Sequence, residues 1–370
     1  MIKICHMTSA HDEEDVRIFH KECVSLAKAG YDTYLVERGE SREKDGIHII
    51  GVGEIPKSRR KRMTEGAKKV YEAARAVNAD IYHFHDPELL PYGMKLKRAG
   101  KKVIFDSHED YLSTITEKTY IPSYLRKIIS WGYGKYEKYV CSHFSGVIAC
   151  YHWTQDRLTS VCPNMCLIFN FPIIYSALTA PDYSSRKVCF AGGISAQYNL
   201  DTAIKAISCV EGAGLLLAGD QNTEMYRTLV DLPEWRCVDF QGQLPHRELP
   251  ERVYQKSSAG IVLLDYIAQC HGHVGNLSNI KLFEVMAQGL PVVCTDFQLW
   301  KEVIDEYACG ICVDPHDVSQ IETALRTLLC NPDVAKQMGQ NARRAVEEKY
   351  NWASEEKKLL ALYEKIATDK

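Results

Sequence analysis

Two successive series of alternating strand and helix patterns constrain the fold of this chain more than any other feature. In the first, short apolar runs alternate with amphipathic stretches such as Asp15–Ala29 and Glu88–Ala99. Strands separated by helices are typical of parallel sheets that carry helices on both faces. The sequence therefore predicts an α/β protein with two doubly wound sheets. The predicted strands are Lys3–Met7, Thr33–Glu37, His48–Val52, Ile81–His85, Val103–Ser107 and Val147–Cys150, then Val188–Ala191, Leu215–Ala218, Cys237–Phe240, Gly260–Leu264, Pro291–Cys294 and Cys312–Val313.

Length and composition agree with two domains. A chain of 370 residues exceeds the size at which a single core keeps growing. Asn170–Lys187 has two prolines and little periodicity, so we expect the interdomain linker there. The chain enters directly into a strand and has no run of about 18 apolar residues, which predicts neither a secretory signal nor a membrane span and favours a cytoplasmic protein.

The 14 cysteines are scattered over predicted strands and helices, which is typical of buried thiols in a reducing compartment. Cys309 and Cys312 have CxxC spacing, with His271 and His273 upstream. A lone CxxC lacks the second half of a structural zinc motif, so we predict no zinc there. A pI of about 6.5 and the lack of a recognised motif argue against nucleic-acid binding.

Polar residues follow three predicted strands of the first series. Ligands of open parallel sheets bind beyond the carboxyl ends of the strands, so we expect these residues to converge. Metal ligation by the histidines and carboxylates is one interpretation, although no helical HxxxH fixes a geometry. Solvated helix caps are another. The residues concerned are His11, Asp12, Arg17, His85, Asp86 and His108.

Asn276–Phe297, NLSNIKLFEVMAQGLPVVCTDF, predicts a helix, a tight turn and a strand in close succession. Asn276, Ser278 and Asn279 are good N-cap residues, and Gly289 ends the helix. The free amides at the helix start then form an anion site near Lys281 and Glu284.

This segment resembles the donor-binding signature of the retaining glycosyltransferases of family 4, which have the GT-B fold. KLFEVMAQGLPVV is similar to the family pattern KLFEYMAxGxPVV, and Glu284 falls on the second Glu of the signature. The resemblance implies that Glu284 binds the donor ribose. Asn276 stands where the family has its first Glu. An i, i+3 pair between Glu284 and Lys281 with no further role is the alternative.

The resemblance extends over nearly the whole chain. FDSHEDY is similar to a family element whose His meets the donor sugar and acceptor, which makes His108 and Glu284 the predicted catalytic residues. TSAHDEEDVRIF and HFHDPELLP resemble two loops on the same rim. The acceptor contacts implied there are His11, Asp12, Arg17, His85 and Asp86.

One departure concerns the donor diphosphate. Many family members clamp it with a Gly-Arg and a later Lys, but Phe190–Asn199 lacks both cations. The diphosphate must then rely on backbone amides and on Lys281. The predicted donor-binding residues are Gly192, Gly193, Gln243, Asn276, Ser278, Asn279, Lys281 and Glu284.

The resemblance implies transfer of a sugar from a nucleoside diphosphate sugar to an acceptor hydroxyl with retention at the anomeric carbon. It implies no metal and no cofactor beyond the donor. The expected architecture has two Rossmann-like domains facing a central cleft: residues 1–170 bind the acceptor, 171–350 bind the nucleotide sugar, and a final helix in 351–370 returns to the first domain.

Charge bears on the acceptor. Residues 1–170 carry 26 Lys and Arg against 22 Asp and Glu, whereas the remainder carries 19 against 26. A basic run, Arg59, Arg60, Lys61 and Arg62, together with the aromatic stretch Ile121–Val140, predicts contact with anionic lipid and hence a lipid-linked glycan acceptor.

Two rival functions stay open. Nucleotide-sugar 2-epimerases have a similar fold, and the missing clamp is compatible with a degenerate sugar-nucleotide-binding protein. A dehydrogenase is excluded because no predicted strand is followed by GxGxxG.

Overall fold

The structure is a computed structural model that describes residues 1–56, 58–118, 120–175 and 179–368. The chain divides into two compact units, residues 1–170 with 352–370 and residues 171–351. Part of the predicted linker, residues 176–178, lies outside the described residues. Among the helices that are described, none combines the length and apolar character needed to span a bilayer.

The first unit is built on an eight-stranded sheet with the order β3-β4-β2-β1-β5-β6-β7-β8. All neighbouring strands are parallel except the edge pair β3 and β4. The central strands are buried on both faces, which explains their nearly continuous apolar sequences. The strands are β1 Lys3–Met7, β2 Asp32–Glu37, β3 Arg42–Lys44, β4 Ile47–Gly51, β5 Ile81–Phe84, β6 Lys102–Ser107, β7 Gly146–Ala149 and β8 Met165–Leu167.

The first helical segment of this unit differs from the predicted α-helix over Asp15–Ala29. Asp15 caps it by accepting the backbone N–H groups of Arg17 and Ile18. Val16–Cys23 then forms a π-helical stretch before regular α-helix resumes. A second π-helical turn spans Arg62–Gly66. The α-helices are α1 Val24–Lys28, α2 Arg59–Lys61, α3 Ala67–Val77, α4 Leu90–Arg98, α5 Tyr111–Glu117, α6 Ser123–Cys141 and α7 His152–Thr159.

The second unit has a six-stranded parallel sheet with the order β11-β10-β9-β12-β13-β14. The strand order reverses between β9 and β12, which is where doubly wound sheets bind ligands. Its strands are β9 Lys187–Ala191, β10 Gly214–Ala218, β11 Val238–Gly242, β12 Ala259–Val262, β13 Val292–Thr295 and β14 Gly310–Val313. Its α-helices are α8 Leu200–Ser208, α9 Glu224–Val230, α10 Leu249–Arg252, α11 Ile280–Ala287, α12 Gln298–Tyr307, α13 Val318–Leu329 and α14 Pro332–Glu348.

Short 3₁₀ turns connect several of these elements. They span Pro87–Leu89, Ala196–Tyr198, Pro233–Cys237, His246–Glu248, Tyr254–Lys256, Ala268–Cys270 and Gly272–Val274.

The last helix, α15 (Trp352–Thr368), packs within the first unit. The Trp352 indole donates to Ser25 Oγ at 3.0 Å, and Glu355 accepts the Phe169 amide at 2.9 Å. Farther along, the Tyr363 hydroxyl lies 2.8 Å from His83 Nδ1. This helix therefore belongs to the core of the first unit. The last two residues of the range 351–370, in which this helix was predicted, lie outside the described residues.

Two strands were not predicted from the sequence. β3 is polar and only three residues long, and it forms an antiparallel edge. β8 is equally short and also lies at an edge, beside β7. Most of the cysteines are buried, as predicted from their positions on strands and helices.

Candidate active site

In the second unit, the turn after β9 accommodates a lysine side chain. Gly192 has φ +148°, and its N–H donates to Ala218 O at 3.0 Å. A Cβ at position 192 would overlap Lys281 Cε, so the glycine leaves the space in which the Lys281 side chain lies. Lys281 thus lies against the Gly192 turn at the switch point of the sheet, as expected for a cation that neutralises a bound phosphate.

Tyr198 keeps Lys281 in this position. The Lys281 Nζ atom lies 5.0 Å from the centre of the Tyr198 ring, within the range of a cation–π interaction. Asn279 Nδ2 also donates to the Tyr198 hydroxyl at 3.3 Å. No sequence pattern marks Tyr198, although it lies in the segment Phe190–Asn199 that lacks the clamp cations.

The start of α11 is capped by Asn279, whose side chain accepts the Lys281 N–H at 3.1 Å. The helix ends where predicted, because Gly289 follows it with φ +74°. Ser278, just before the cap, donates its N–H to Asn276 Oδ1. Asn279, Ser278 and Lys281 thus define the helix start at which an anion is expected.

The position of Asn276 does not match its predicted donor contact. Its side chain is buried, with Oδ1 accepting from Ser278 and Nδ2 donating to Cys270 Sγ at 3.3 Å. Its backbone carbonyl accepts the Trp300 indole N–H at 2.6 Å. Asn276 therefore stabilises the loop before α11.

Glu284 lies one turn into α11 with its side chain 15% exposed. Its Oε1 is 2.9 Å from Nε2 of His246, which is 57% exposed. The alternative interpretation paired Glu284 with Lys281. Among the described residues, the structure pairs Glu284 with His246 instead. The exposed Gln243 lies in the loop between β11 and the turn that carries His246. The ribose contact of Glu284 and the donor contacts of Gln243 and Gly193 stay predictions.

In the first unit, Asp86 organises the loop after β1. Its Oδ2 accepts from the Ser9 N–H at 2.6 Å and from the Thr8 hydroxyl at 2.9 Å. Its Oδ1 lies 3.2 Å from His11 Nδ1. Burial lowers the pKa of His11, but the hydrogen bond and charge of Asp86 outweigh it and raise this pKa to about 9. Burial raises the pKa of Asp86, and His11 more than reverses that effect.

The charged His11 contacts His108. The two Nε2 atoms are 3.0 Å apart, and His108 Nδ1 lies 3.3 Å from Asp106 Oδ2. A protonated His11 donates from both nitrogens, one N–H to Asp86 and the other to His108 Nε2. His108 then carries its own proton on Nδ1, facing Asp106, because its Nε2 accepts.

Arg17 holds Asp106 in a bidentate ion pair. Its Nε and Nη2 donate to the two carboxylate oxygens at 2.8 and 3.1 Å, and Nη1 donates to the Ile168 carbonyl. Burial raises the pKa of Asp106, but Arg17 and His108 lower it well below its ordinary value. His85 Nδ1 also lies 3.2 Å from Asp106.

The structure therefore divides the predicted acceptor residues into two groups. Arg17, His85 and Asp86 are buried and contact other protein groups, and their acceptor contacts stay predictions. His11 is partly exposed, and Asp12 is 88% exposed in an ion pair with Arg38. His11, Asp12 and His108 therefore present the accessible polar groups beside the buried Asp86 and Asp106.

Known proteins resemble the chain along most of its length. The family model for Glycosyltransferase Family 4 matches residues 17–170, and that for Glycosyl transferases group 1 matches residues 179–345. Sucrose-phosphate synthase from Thermosynechococcus elongatus has a TM-score of 0.75 with 18% identity, covering 99% of both chains. Anabaena HepE in complex with UDP and glucose has a TM-score of 0.71 with 13% identity, covering 99% of this chain and 100% of that one.

The two parallel-sheet units and these structural neighbours define the GT-B fold. The chain belongs to the family 4 glycosyltransferases. An MMP alpha-(1->4)-mannosyltransferase from Mycolicibacterium hassiacum is 34% identical over 88 residues, which are 24% of this chain. The match spans only 21% of that relative.

Proposed function

We propose that this protein is a retaining glycosyltransferase that transfers a sugar from a nucleoside diphosphate sugar to a glycan acceptor in cell-surface polysaccharide synthesis. The observation that carries the proposal is the position of Lys281, which lies on the Gly192 turn, over the Tyr198 ring and at the capped start of α11. A diphosphate bound there receives backbone N–H groups, the positive end of a helix dipole and one ammonium group.

The same groups supply the electrostatic part of catalysis. As the bond from the anomeric carbon to the phosphate breaks, negative charge grows on the leaving diphosphate, and donors already aimed at it stabilise that charge. The transfer needs no metal for this purpose. We propose front-face attack, in which the departing phosphate takes the acceptor's proton and the sugar keeps its anomeric configuration.

Glu284 is proposed to bind the donor ribose. The His246 that now contacts it is mostly exposed, so ribose hydroxyls can take its place on the carboxylate at little desolvation cost. In the first unit, His11, Asp12 and His108 are proposed to bind the acceptor, because they hold the accessible polar groups beside the buried Asp86 and Asp106.

Glu284→Ala tests the donor site. Loss of hydrogen bonds from ribose hydroxyls to a charged group should weaken donor binding by about 1.5–3 kcal/mol, or roughly tenfold to a hundredfold. Nucleotide sugars are first screened by thermal shift, and the hit is then titrated by calorimetry. Glu224→Ala, which removes an exposed glutamate from α9, is the matched control and should bind as the wild type does. Equal affinity in both variants would refute the assignment.

We propose further that the acceptor is lipid-linked and that the first unit binds an anionic membrane surface. Helix α6 exposes an apolar stripe at helical spacing: Tyr124, Ile128, Trp131 and Tyr139. The Arg59 guanidinium lies 5.5 Å from the exposed Tyr120 ring just before this helix, so basic and aromatic groups adjoin. Aromatic and basic side chains side by side are typical of a helix lying in the headgroup region.

The four basic residues of this region do not contribute equally. Arg62 donates to Glu88 at 3.0 Å, so lipid contact rests on Arg59, Arg60 and Lys61. Changing these three to Ser should weaken the free energy of binding to anionic vesicles by up to about 3 kcal/mol at low salt, at about 1 kcal/mol per charge. Co-sedimentation with the vesicles measures this binding. A triple Ser variant of the exposed Lys301, Lys336 and Arg344 of the second unit is the control. Equal vesicle binding by both triple variants would disprove the proposed surface.

A further inference from the structure

Four buried side chains of the first unit converge behind the proposed acceptor residues. The Glu22 Oε2 atom lies 4.0 Å from His6 Nδ1, 3.8 Å from His83 Nδ1 and 3.9 Å from His85 Nε2. His6 and His83 are register partners on β1 and β5, His85 follows β5, and Glu22 lies on the π-helical stretch. None of these four side chains is accessible to solvent.

The spacing of their ligand atoms suits a small divalent cation. A tetrahedral centre with bonds of about 2.0–2.2 Å places its ligand atoms roughly 3.3–3.6 Å apart. His6 Nδ1 and His85 Nε2 are 3.1 Å apart, and the three distances to Glu22 are slightly longer than this range. All four potential ligand atoms lie within 4.8 Å of one another, so side-chain shifts of up to about 1 Å produce the geometry.

The surroundings also favour the required histidine tautomers. His85 Nδ1 lies 3.2 Å from Asp106 Oδ2, and His6 Nε2 lies 3.2 Å from the Tyr363 hydroxyl. When each of these nitrogens carries the proton and donates it outward, the opposite nitrogen of the ring is bare and faces Glu22. Metal-binding histidines are held by outer hydrogen bonds of this kind. The third ligand atom, His83 Nδ1, lies 2.8 Å from the same Tyr363 hydroxyl, so the hydroxyl proton must turn away from His83 when the ion binds.

Glu22 is a buried acid that shares its nearest cation, Arg17, with Asp106. Arg17 compensates Asp106, and protonated His11 compensates Asp86. Arg17 Nε lies 3.1 Å from Glu22 Oε1, but its N–H points to Asp106, and neither Glu22 oxygen has a hydrogen-bond partner among the described residues.

A second group of potential ligands, His85, Asp106 and His108, competes for His85. It is less suitable because Arg17 already occupies both oxygens of Asp106. In the part of the chain that the structure describes, Cys309 and Cys312 join no such group.

We propose that His6, Glu22, His83 and His85 bind one Zn²⁺ ion. Three imidazoles and one carboxylate form a donor set that suits zinc, and a fully buried site with four protein ligands is of the closed, structural kind. The ion would join β1, β5 and the π-helical stretch, and it would hold His85 against Asp106 and thereby fix His108. The site goes beyond the expectation of no metal, although sugar transfer itself still needs none.

The first test uses the full-length wild-type chain. The protein is stripped with a chelator, dialysed against Zn²⁺, freed of excess metal and measured for zinc by elemental analysis. We expect one equivalent per chain and a higher unfolding temperature for the zinc-loaded form. Co²⁺ loading should give the strong visible absorption of a tetrahedral site. Less than a tenth of an equivalent of either metal would overturn the proposal.

Three variants locate the ion. Loss of an outer hydrogen bond typically weakens metal binding roughly 10–100-fold. Tyr363→Phe should lose zinc affinity within that range, and Glu22→Gln, which removes a ligand, should lose more. His48→Gln, at an exposed histidine that contacts Asp32 and Glu43, should bind as the wild type does. Zinc affinity unchanged in both Glu22→Gln and Tyr363→Phe, or lost in His48→Gln, would show that the ion binds elsewhere. Should Glu22→Gln not fold, the zinc stoichiometry and the Co²⁺ absorption of the wild type decide.

Discussion

The ion pair between His11 and Asp86 makes a strong prediction about protonation. Its two partners lie 3.2 Å apart, and the His11 pKa is raised from 6.5 to about 9. A shift of about 2.5 pKa units corresponds to about 3.4 kcal/mol in favour of the charged imidazole. Burial acts in the opposite direction, so the carboxylates of Asp86, Asp15 and Glu109 together contribute more than this net value. Asp86 contributes most among them, and in Asp86→Asn the pKa of His11 should therefore fall below 6.5.

The consequence for stability follows from the direction of the shift. A folded pKa above the unfolded one means that the folded state binds the proton more tightly. The stabilisation from His11 is therefore complete below about pH 6.5 and is lost as the pH rises through about 9. Over this interval the free energy of unfolding of the wild type should fall by at most about 3.4 kcal/mol relative to that of His11→Gln, because the two proteins share their other titrating groups.

Histidine C2-hydrogen exchange, resolved to His11 by mass spectrometry, measures this pKa. The wild type and Asp12→Asn should both give a midpoint near 9, because Asp12 pairs with Arg38 and not with His11. Asp86→Asn should give a midpoint below 6.5. A wild-type midpoint near 6.5, or equal midpoints in Asp86→Asn and Asp12→Asn, would refute the electrostatic account of this site.

The remaining predictions concern the second unit, and each is tested by measuring the binding of a nucleoside diphosphate by calorimetry. Gly192→Ala should weaken binding at least tenfold, because the new Cβ displaces Lys281 from the turn and the φ of +148° adds strain. Gly46→Ala, with a positive φ but no atom near its Cβ, should leave binding unchanged, and equal losses in both variants would contradict the steric argument. Tyr198→Leu should weaken binding roughly two- to fivefold through loss of about 0.5–1 kcal/mol of cation–π attraction, whereas Tyr198→Phe keeps the ring and should bind normally. Equal losses in the Leu and Phe variants would disprove a role for the ring.

The strand pattern predicted the framework because most of its strands are buried runs of four to six residues. Lys3–Met7 was predicted to the residue, and the strand after α11 was placed within one residue. Strand β3, which was not predicted, is polar and lies at the edge of the sheet. Its side chains are not buried there, so its sequence shows no apolar pattern. The π-helical stretch Val16–Cys23 was missed because an amphipathic pattern over a few turns does not distinguish a π-helix from an α-helix.

The candidate site was less predictable, because a position after a strand does not fix the direction of a side chain. His85 and Asp86 are consecutive, and both point into buried polar groups. His246 and Tyr198 contact Glu284 and Lys281 from loops distant in sequence, and no local spacing signals these contacts. Glu22 gave no signal because one acidic residue on an amphipathic helix is ordinarily exposed.

Tyr363 shows how the end of the chain contributes to the chemistry at its beginning. Its hydroxyl lies 2.8 Å from His83 Nδ1 and 3.2 Å from His6 Nε2, and its side chain is buried. Helix α15 therefore does more than cover apolar surface, because it supplies a polar atom that contacts both His6 and His83. Without that hydroxyl, His6 Nε2 would be a buried polar group without its partner, which costs about 1–3 kcal/mol. The orientation of the buried histidines behind Asp106, and through Asp106 that of His108, thus depends on a helix that begins only at residue 352.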